Sequence, residues 1–105
     1  MSDRVLIVDT DDPFRHNLAD RLRQQRLKVL ETGEETTMSS MLQSRDIDVV
    51  LLGLSSLGEA GLGLLAEVKR LRPSTEVILL NDTDQIGLSI AGMKAGAFDD
   101  QLIPI

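Results

Sequence analysis

The sequence predicts an α/β protein with a doubly wound parallel sheet of five strands. Five short apolar runs alternate with segments of helical periodicity, an alternation that is typical of strand–helix–strand units. About twenty residues separate the first run from the second and the second from the third, which is enough for one crossover helix with short loops. The runs lie at residues 5–8, 27–30, 47–52, 77–80 and, more weakly, 98–105.

Length and composition indicate one globular domain. A chain of 105 residues can form a single core that removes roughly two thirds of the unfolded surface from water. Hydrophobic residues make up 42% and charged residues 27%, values typical of soluble globular proteins. No run approaches the roughly 20 apolar residues that a membrane helix needs.

Charge and cysteine content exclude several function classes. The formal charge of −6 argues against direct nucleic-acid binding by this segment, because phosphates would be repelled. Zero cysteines exclude disulfides and thiol chemistry. No basic start followed by an apolar stretch precedes the first strand, so we expect a cytoplasmic protein with no membrane association.

The first three helices have recognisable boundaries. Asp12 is expected to cap the first helix, with Pro13 at its first position. Thr32 and Glu35 have the spacing of a capping box for the second, and the third should stop at Arg72, before a proline. The residues expected to face the core are Phe14, Leu18 and Leu22, then Met38, Met41 and Leu42, then Leu64, Leu65, Val68 and Leu71.

A fourth helix is expected at about residues 83–95, closed by Gly96 as a left-handed cap. Its predicted buried stripe is Ile86, Ile90 and Met93. Three further apolar residues lie off that stripe and could form either a half-buried helix face or a contact surface: Leu88, Ala91 and Ala95.

No helix follows the fifth strand in the sequence given. Parallel sheets bury both faces, and the first helix alone would cover one of them. We therefore expect part of that face to stay exposed unless further sequence or another chain covers it.

Gly53 ends the third apolar run at the sheet edge where open α/β sheets place their chemistry. Without a family context, a glycine here is most often a strand-end or bulge residue. It is expected to lie near the acidic stretch at residues 9–12. A second charged feature is the basic group Arg21, Arg23, Arg26 and Lys28, which is either a solvated helix face or a docking surface.

Several stretches together resemble a response-regulator receiver domain, the phosphoacceptor module of two-component signalling. They are the run from Arg4 to Asp9 followed by Phe14 and Arg15, the third run from Asp48 to Leu52, Gly61, residues 77–80, and Gly96 to Asp99 with Pro104. The resemblance implies a flavodoxin-like fold with strand order 2-1-3-4-5. Residues 1–105 would form one receiver-like domain that ends after the fifth strand, without the family's fifth helix.

The resemblance also implies a phosphoacceptor pocket. Receivers transfer a phosphoryl group from a kinase histidine to an aspartate, with Mg²⁺ on two acidic residues, a hydroxyl that senses the phosphate and a lysine that neutralises it. Here Asp9 matches the first acidic position. The other positions are changed and hold Thr10, Gly53, Asn81 and Ile103, while Asp100 replaces an aromatic residue and Ser56 and Leu57 replace Met-Pro.

These changes predict an atypical receiver. Glycine has no carboxylate to attack phosphorus or bind a hard cation, and isoleucine cannot neutralise a phosphoryl oxygen. If the aspartate alone were lost, the lysine would be left as an unpaired, partly buried cation, and losing both residues together avoids this. We therefore expect a non-enzymatic, phosphorylation-independent protein-interaction module without a cofactor, whose contact residues are Leu88, Ala91 and Ala95. Its partner would be a histidine kinase, an output domain or a second copy, and weak residual Mg²⁺ binding at Asp9 and Asp11 stays open.

Other interpretations stay open beside this one. A small phosphoryl-transfer or cofactor-binding enzyme on the same fold could use Asp9 or Asp11, although no phosphate-binding loop is present and the acidic stretch would repel phosphate. His16 is expected at the surface. A decoy could dock on a kinase through Arg15, Asn17 and residues 21–26. Residues 77–105 also resemble receivers of sigma-54-dependent transcriptional activators.

Overall fold

The computed structural model describes residues 3–82 and 86–102, and within them it contains the predicted parallel sheet. Five strands lie in the order β2-β1-β3-β4-β5, as the sequence predicts. The strands are β1 (Arg4–Val8), β2 (Lys28–Thr32), β3 (Val49–Gly53), β4 (Glu76–Asn81) and β5 (Asp99–Leu102). The helices are α1 (Asp12–Gln24), α2 (Glu35–Ser44), α3 (Leu54–Leu57), α4 (Ala60–Leu71) and α5 (Ile86–Lys94).

The short helix α3 lies where the sequence predicts a loop. Gly58 ends it with a φ of 60°, a left-handed conformation that favours glycine. The predicted third and fourth helices are therefore α4 and α5. Helix α4 ends at Leu71 with Arg72 as its cap, as Pro73 in the sequence indicates.

The core lies on both faces of the sheet. On one face, a large cluster joins the sheet to α2 and α4, and its fully buried members include Leu6, Met38, Leu42, Leu65 and Val68. On the other face, a smaller cluster joins the sheet to α1 and includes Val5, Ile7, Leu18, Ala19 and Leu80. The expected core residues of α1 are confirmed in part, since Leu18 is buried and Phe14 and Leu22 are partly buried.

The side chains of β3 that point to the α1 face of the sheet are less deeply buried than those on the other face. Along β3, Val50 and Leu52 are fully buried against the larger cluster, whereas Val49 and Leu51, which point to the α1 face, are half-buried. Ile78 in β4 is also half-buried. No helix among residues 3–82 and 86–102 has the length and apolarity required to span a membrane.

The predicted capping box of α2 is wrong. Thr32 is the last residue of β2, and its hydroxyl accepts a hydrogen bond from the backbone N–H of Glu34 at 3.1 Å. Glu34 is the N-cap and makes no side-chain cap bond. The strand continues two residues beyond the predicted 27–30 run, so Thr32 ends a strand instead of starting a helix. The predicted core residues Met38 and Leu42 are fully buried.

The predicted buried stripe of α5 is also wrong. Ile86, Ile90 and Met93 are 59%, 53% and 41% exposed, and the helix instead turns Ser89 and Gly92 toward the sheet. A Cβ on Gly92 would lie 2.5 Å from Cδ1 of Leu79, so a larger residue would require the Leu79 side chain to move. Gly96, with φ of 111°, has the predicted left-handed conformation.

Candidate functional site

The carboxyl ends of β1, β3 and β4 bring three of the predicted site residues to one edge of the sheet. Asp9 follows β1, Gly53 ends β3 and Asn81 ends β4, and these strands are hydrogen-bonded neighbours. Thr10 is exposed beside Asp9. Ile103 lies outside the described residues, so its place in the pocket stays a prediction.

Asp9 is the central charged group at this edge. It is 1% exposed, and its Oδ1 accepts a hydrogen bond from the backbone N–H of Asp11 at 2.8 Å. Its Oδ2 is buried and has no hydrogen-bond partner within residues 3–82 and 86–102. Leaving a buried polar atom without a partner costs about 1–3 kcal/mol, so the inward position of Oδ2 is unfavourable by itself.

Gly53 makes the inward position of Asp9 possible. A Cβ built on Gly53 would overlap Oδ2 of Asp9 and lie 2.6 Å from Cγ, closer than nonbonded atoms approach. The backbone of Gly53 has φ of −80°, which any residue can adopt, so the obstacle to a larger residue is the space that the Asp9 side chain occupies. The Asp9 carboxylate therefore occupies the volume in which a side chain at position 53 would begin.

Ser56 connects the acidic stretch at residues 9–12, which we call the acidic loop, to the end of β3. Its hydroxyl accepts a hydrogen bond from the backbone N–H of Thr10 at 3.1 Å and donates one to the carbonyl of Gly53 at 3.2 Å. Sequence reasoning treats Ser56 only as a departure from a family pattern. A hydroxyl three residues beyond a strand end, which can both donate and accept, is the signal for this role.

Asp11, and not Asp12, caps α1. Oδ1 of Asp11 accepts a hydrogen bond from the backbone N–H of Phe14 at 3.1 Å, which corrects the sequence prediction by one residue. Pro13 is thus the second residue of the helix and not, as the sequence predicts, the first, although it still lies in the first turn. Oδ1 of Asp12 instead lies 2.7 Å from a guanidinium nitrogen of Arg15. The carboxylate of Asp12 is thus paired with a cation one turn further along α1.

Arg15 is the functional residue that sequence reasoning misjudged. It is 8% exposed, and its guanidinium donates to the Asp9 carbonyl at 2.7 Å and to Glu31 Oε1 at 3.0 Å. Burial acts to lower the pKa of Arg15, but the hydrogen bonds and charges of Glu31 and Asp12 outweigh it, so this pKa lies above its ordinary value. Arg15 therefore belongs to the interior of the acidic loop and is not available to dock a kinase.

Glu31 joins Arg15 to the surface of α1. Nδ1 of His16 lies 2.5 Å from Glu31 Oε1, and Arg23 lies 3.6 Å from Oε2. The His16 side chain is 60% exposed, as the sequence predicts. Arg23 also donates to the Val29 carbonyl at 3.0 Å. The basic residues Arg21, Arg23, Arg26 and Lys28 are all exposed, so the predicted choice between a solvated face and a docking surface stays open.

Asn81 contacts Asp100, which also accepts a hydrogen bond from Ser89. No described hydrogen bond joins Asn81 to the acidic loop. The amide nitrogen of Asn81 lies 3.5 Å from Oδ2 of Asp100, and the hydroxyl of Ser89 donates to the same oxygen. Asn81 and Ser89 are 3% and 5% exposed. Asn81, which stands where the family has a hydroxyl residue, is thus part of a polar contact between β4, β5 and α5.

The predicted contact residues of α5 do not share one environment. Leu88 packs partly against the core, Ala91 is half-buried and Ala95 is exposed. The large apolar side chains that reach solvent are Ile86, Ile90, Met93 and Phe98, the last 64% exposed. We call Ile86, Ile90 and Met93 the apolar stripe; it is the stripe that the periodicity assigned to the core.

The residues present do not fit the magnesium site that the fold family implies. Mg²⁺ demands near-octahedral oxygen ligation, usually from carboxylates and water. Position 53 supplies no side chain, and Oδ1 of Asp11 is engaged in the cap. Residues 3–82 and 86–102 contain no group of three acidic or imidazole side chains able to hold a metal ion. The absence of a cofactor stays a prediction.

Comparison with known proteins gives one consistent result. The sequence model of the response regulator receiver domain matches residues 5–100. A putative NtrX-like response regulator of Rickettsia felis is 27% identical over 97 residues, and the DNA-binding transcriptional regulator NtrC of Azospirillum brasilense is 23% identical over 95. Each alignment covers 90% of this chain and 20% of the relative, so the chain spans about a fifth of their length.

Solved structures extend the likeness to the fold. A response regulator from Thermotoga maritima superposes with a TM-score of 0.88 at 26% identity, covering 100% of this chain and 87% of that one. The predicted strand order is the order found here. NtrX-like and NtrC relatives also agree with the predicted resemblance to receivers of sigma-54-dependent regulators.

Proposed function

The chain belongs to the response regulator receiver family of two-component signalling, and from that premise we propose that it is a receiver that is not phosphorylated at the usual position. In this proposal the domain regulates through protein contacts and has no enzymatic activity of its own. Its partner is an output domain, a histidine kinase or a second copy. The name of the NtrC relative, a DNA-binding transcriptional regulator, supports a role in transcription regulation. We further propose that the protein is cytoplasmic and that this segment makes no direct DNA contact, since its formal charge of −6 would repel phosphates.

One observation carries the proposal. The carboxylate of Asp9 fills the volume beside Gly53, where the phosphoacceptor side chain of the family would begin. The pocket therefore has neither a carboxylate at position 53 nor space for one while Asp9 keeps its place. Asp9 is itself 1% exposed, so it is poorly placed to attack a phosphoryl donor.

Phosphoryl transfer is tested by incubation with acetyl phosphate and Mg²⁺, followed by intact-mass measurement. We expect no phosphoryl adduct, because position 53 has no carboxylate, Asp9 is 1% exposed and Oδ1 of Asp11 accepts the capping hydrogen bond of α1. A receiver with an intact aspartate, treated in parallel, verifies that the reagent is active. A phosphoryl adduct on this chain would contradict the proposal, and peptide mapping would then identify the acceptor.

The apolar stripe of α5 supports the interaction role. Three large aliphatic side chains, 41–59% exposed, line one side of a nine-residue helix, and Phe98 lies beyond its C-terminus. Contiguous apolar surface of this kind commonly marks a protein contact. We propose that the stripe takes over the contact role that the sequence assigned to Leu88, Ala91 and Ala95.

Self-association through the stripe is tested by light scattering at high protein concentration. We expect a mass above the 11.5 kDa of one chain, and we expect Ile90→Glu to return it to one chain, because a buried charge opposes docking. Ala66→Glu, which places the same charge on an exposed position of α4, is the control and should leave the mass unchanged. A wild-type protein that scatters as a single chain would remove the second copy from the proposed partners.

A further inference from the structure

Asp100 receives hydrogen bonds from two other elements of the fold. The hydroxyl of Ser89 in α5 donates to Oδ2 of Asp100 in β5, and the amide of Asn81 at the end of β4 lies 3.5 Å from the same oxygen. The 3.5 Å contact is long for a hydrogen bond, so the Ser89 contact is the stronger of the two. One carboxylate oxygen thereby links three elements.

These contacts lie between α5 and the sheet. Ser89 and Asn81 are 5% and 3% exposed, whereas Asp100 is an exposed residue at the edge of the contact. Asp100 is paired in register with Leu79, the residue that the backbone of Gly92 approaches. The face of α5 that contacts the sheet is therefore built from Ser89 and Gly92, with Leu88 beside them.

Hydrophobic burial does little to fix α5 in this position. Its three largest side chains form the exposed apolar stripe, while the small residues Ser89 and Gly92 contribute little apolar area. A helix with this arrangement could also be held by turning the stripe inward, since the periodicity of the sequence favours that alternative. A directional contact is needed to select the observed orientation.

We propose that the Asp100 carboxylate is a clamp that holds α5 on β4 and β5 in one orientation and keeps the apolar stripe facing solvent. Bonds to an ionised group are stronger and more directional than neutral ones, and the buried hydroxyl of Ser89 would be left without this partner if the helix turned. The inference rests on the proposed function in one respect, namely that the apolar stripe is the proposed contact surface.

The clamp is tested by amide hydrogen exchange of the full chain, read by mass spectrometry for peptides covering α5. We expect Ser89→Ala and Asp100→Ala to speed exchange in α5 by roughly tenfold or more, with β1 and β3 unchanged. Asp100→Asn keeps an acceptor oxygen and should lie between these variants and wild type. Gln101→Ala, at an exposed neighbouring position of β5, is the control and should match wild type.

Exchange in α5 that is unchanged in both Ser89→Ala and Asp100→Ala would overturn the clamp. If Asp100→Ala speeds exchange throughout the sheet, that variant has lost its fold. The exchange of α5 in Ser89→Ala then decides whether the clamp exists. The result is independent of the proposed function, because a phosphoryl adduct in the acetyl phosphate experiment would remove that function and leave the exchange pattern standing. Unchanged exchange in a protein that stays unlabelled would remove the clamp alone.

Discussion

Replacing Gly53 with alanine is expected to lower the free energy of unfolding by about 2 kcal/mol, although the backbone there suits any residue. The reason is overpacking, because the new Cβ would overlap Oδ2 of Asp9 and force that buried carboxylate to move. Gly53→Asp should cost more, since a second carboxylate beside the first adds repulsion. Urea denaturation followed by far-ultraviolet circular dichroism measures the change, as the chain has no tryptophan or tyrosine.

The control for this prediction uses a glycine with open space. A Cβ on Gly63 meets no atom within 4 Å, so Gly63→Ala in α4 should stabilise the protein by roughly 0.5–1 kcal/mol. In an Asp9→Ala background the nearest remaining atom to the new Cβ is the Cβ at position 9, at 3.1 Å, and the cost of Gly53→Ala should fall below about 1 kcal/mol. An undiminished cost in that background would show that Asp9 is not the obstacle.

Replacing Arg15 with methionine is expected to lower the free energy of unfolding by about 3–5 kcal/mol. Methionine keeps the apolar stem, so the loss reports the guanidinium contacts. Without them, Glu31, whose side chain is 15% exposed, loses its buried cation, and the Asp9 carbonyl loses a 2.7 Å hydrogen bond. The same denaturation measurement applies.

A double variant separates the stranded charge from the lost packing. Arg15→Met combined with Glu31→Gln should lose less stability than the sum of the two single variants, because Glu31 is then uncharged and Asp12, the other carboxylate paired with Arg15, has a side chain that is 68% exposed and stays solvated. Arg70→Met breaks an exposed pair with Glu67 on α4 and should change stability very little. If Arg15→Met proved as mild as Arg70→Met, the network would be dispensable.

The fold could be predicted because its signals are local. Apolar runs of strand length, helical periodicity between them and Pro73 after α4 each depend on neighbouring residues, and the five-stranded parallel order follows from the family resemblance. The central position of the site was also predictable, because strands β1 and β3 must end at one edge and place Asp9 near Gly53.

The errors have a common physical cause. Periodicity finds an apolar stripe on α5 but cannot say whether the sheet below leaves room for large side chains, and here Leu79 and Asp100 favour Ser89 and Gly92. The cap of α1 is Asp11 and not Asp12, whose carboxylate pairs with Arg15. Arg15 itself looks like a surface charge in the sequence, and its contacts with Glu31 on β2 and with the Asp9 carbonyl account for its burial.

The sequence alone determined that this chain is an α/β protein that resembles a receiver and has no carboxylate at position 53, since local pattern is sufficient for the α/β class, the family resemblance for the receiver and residue identity for position 53. Only the tertiary structure decided which group fills the space beside Gly53 and which side of α5 meets solvent. Those outcomes depend on contacts between residues far apart in the chain, such as Asp9 with Gly53 and Ser89 with Asp100. Packing in three dimensions selects among arrangements that the local pattern leaves equally possible.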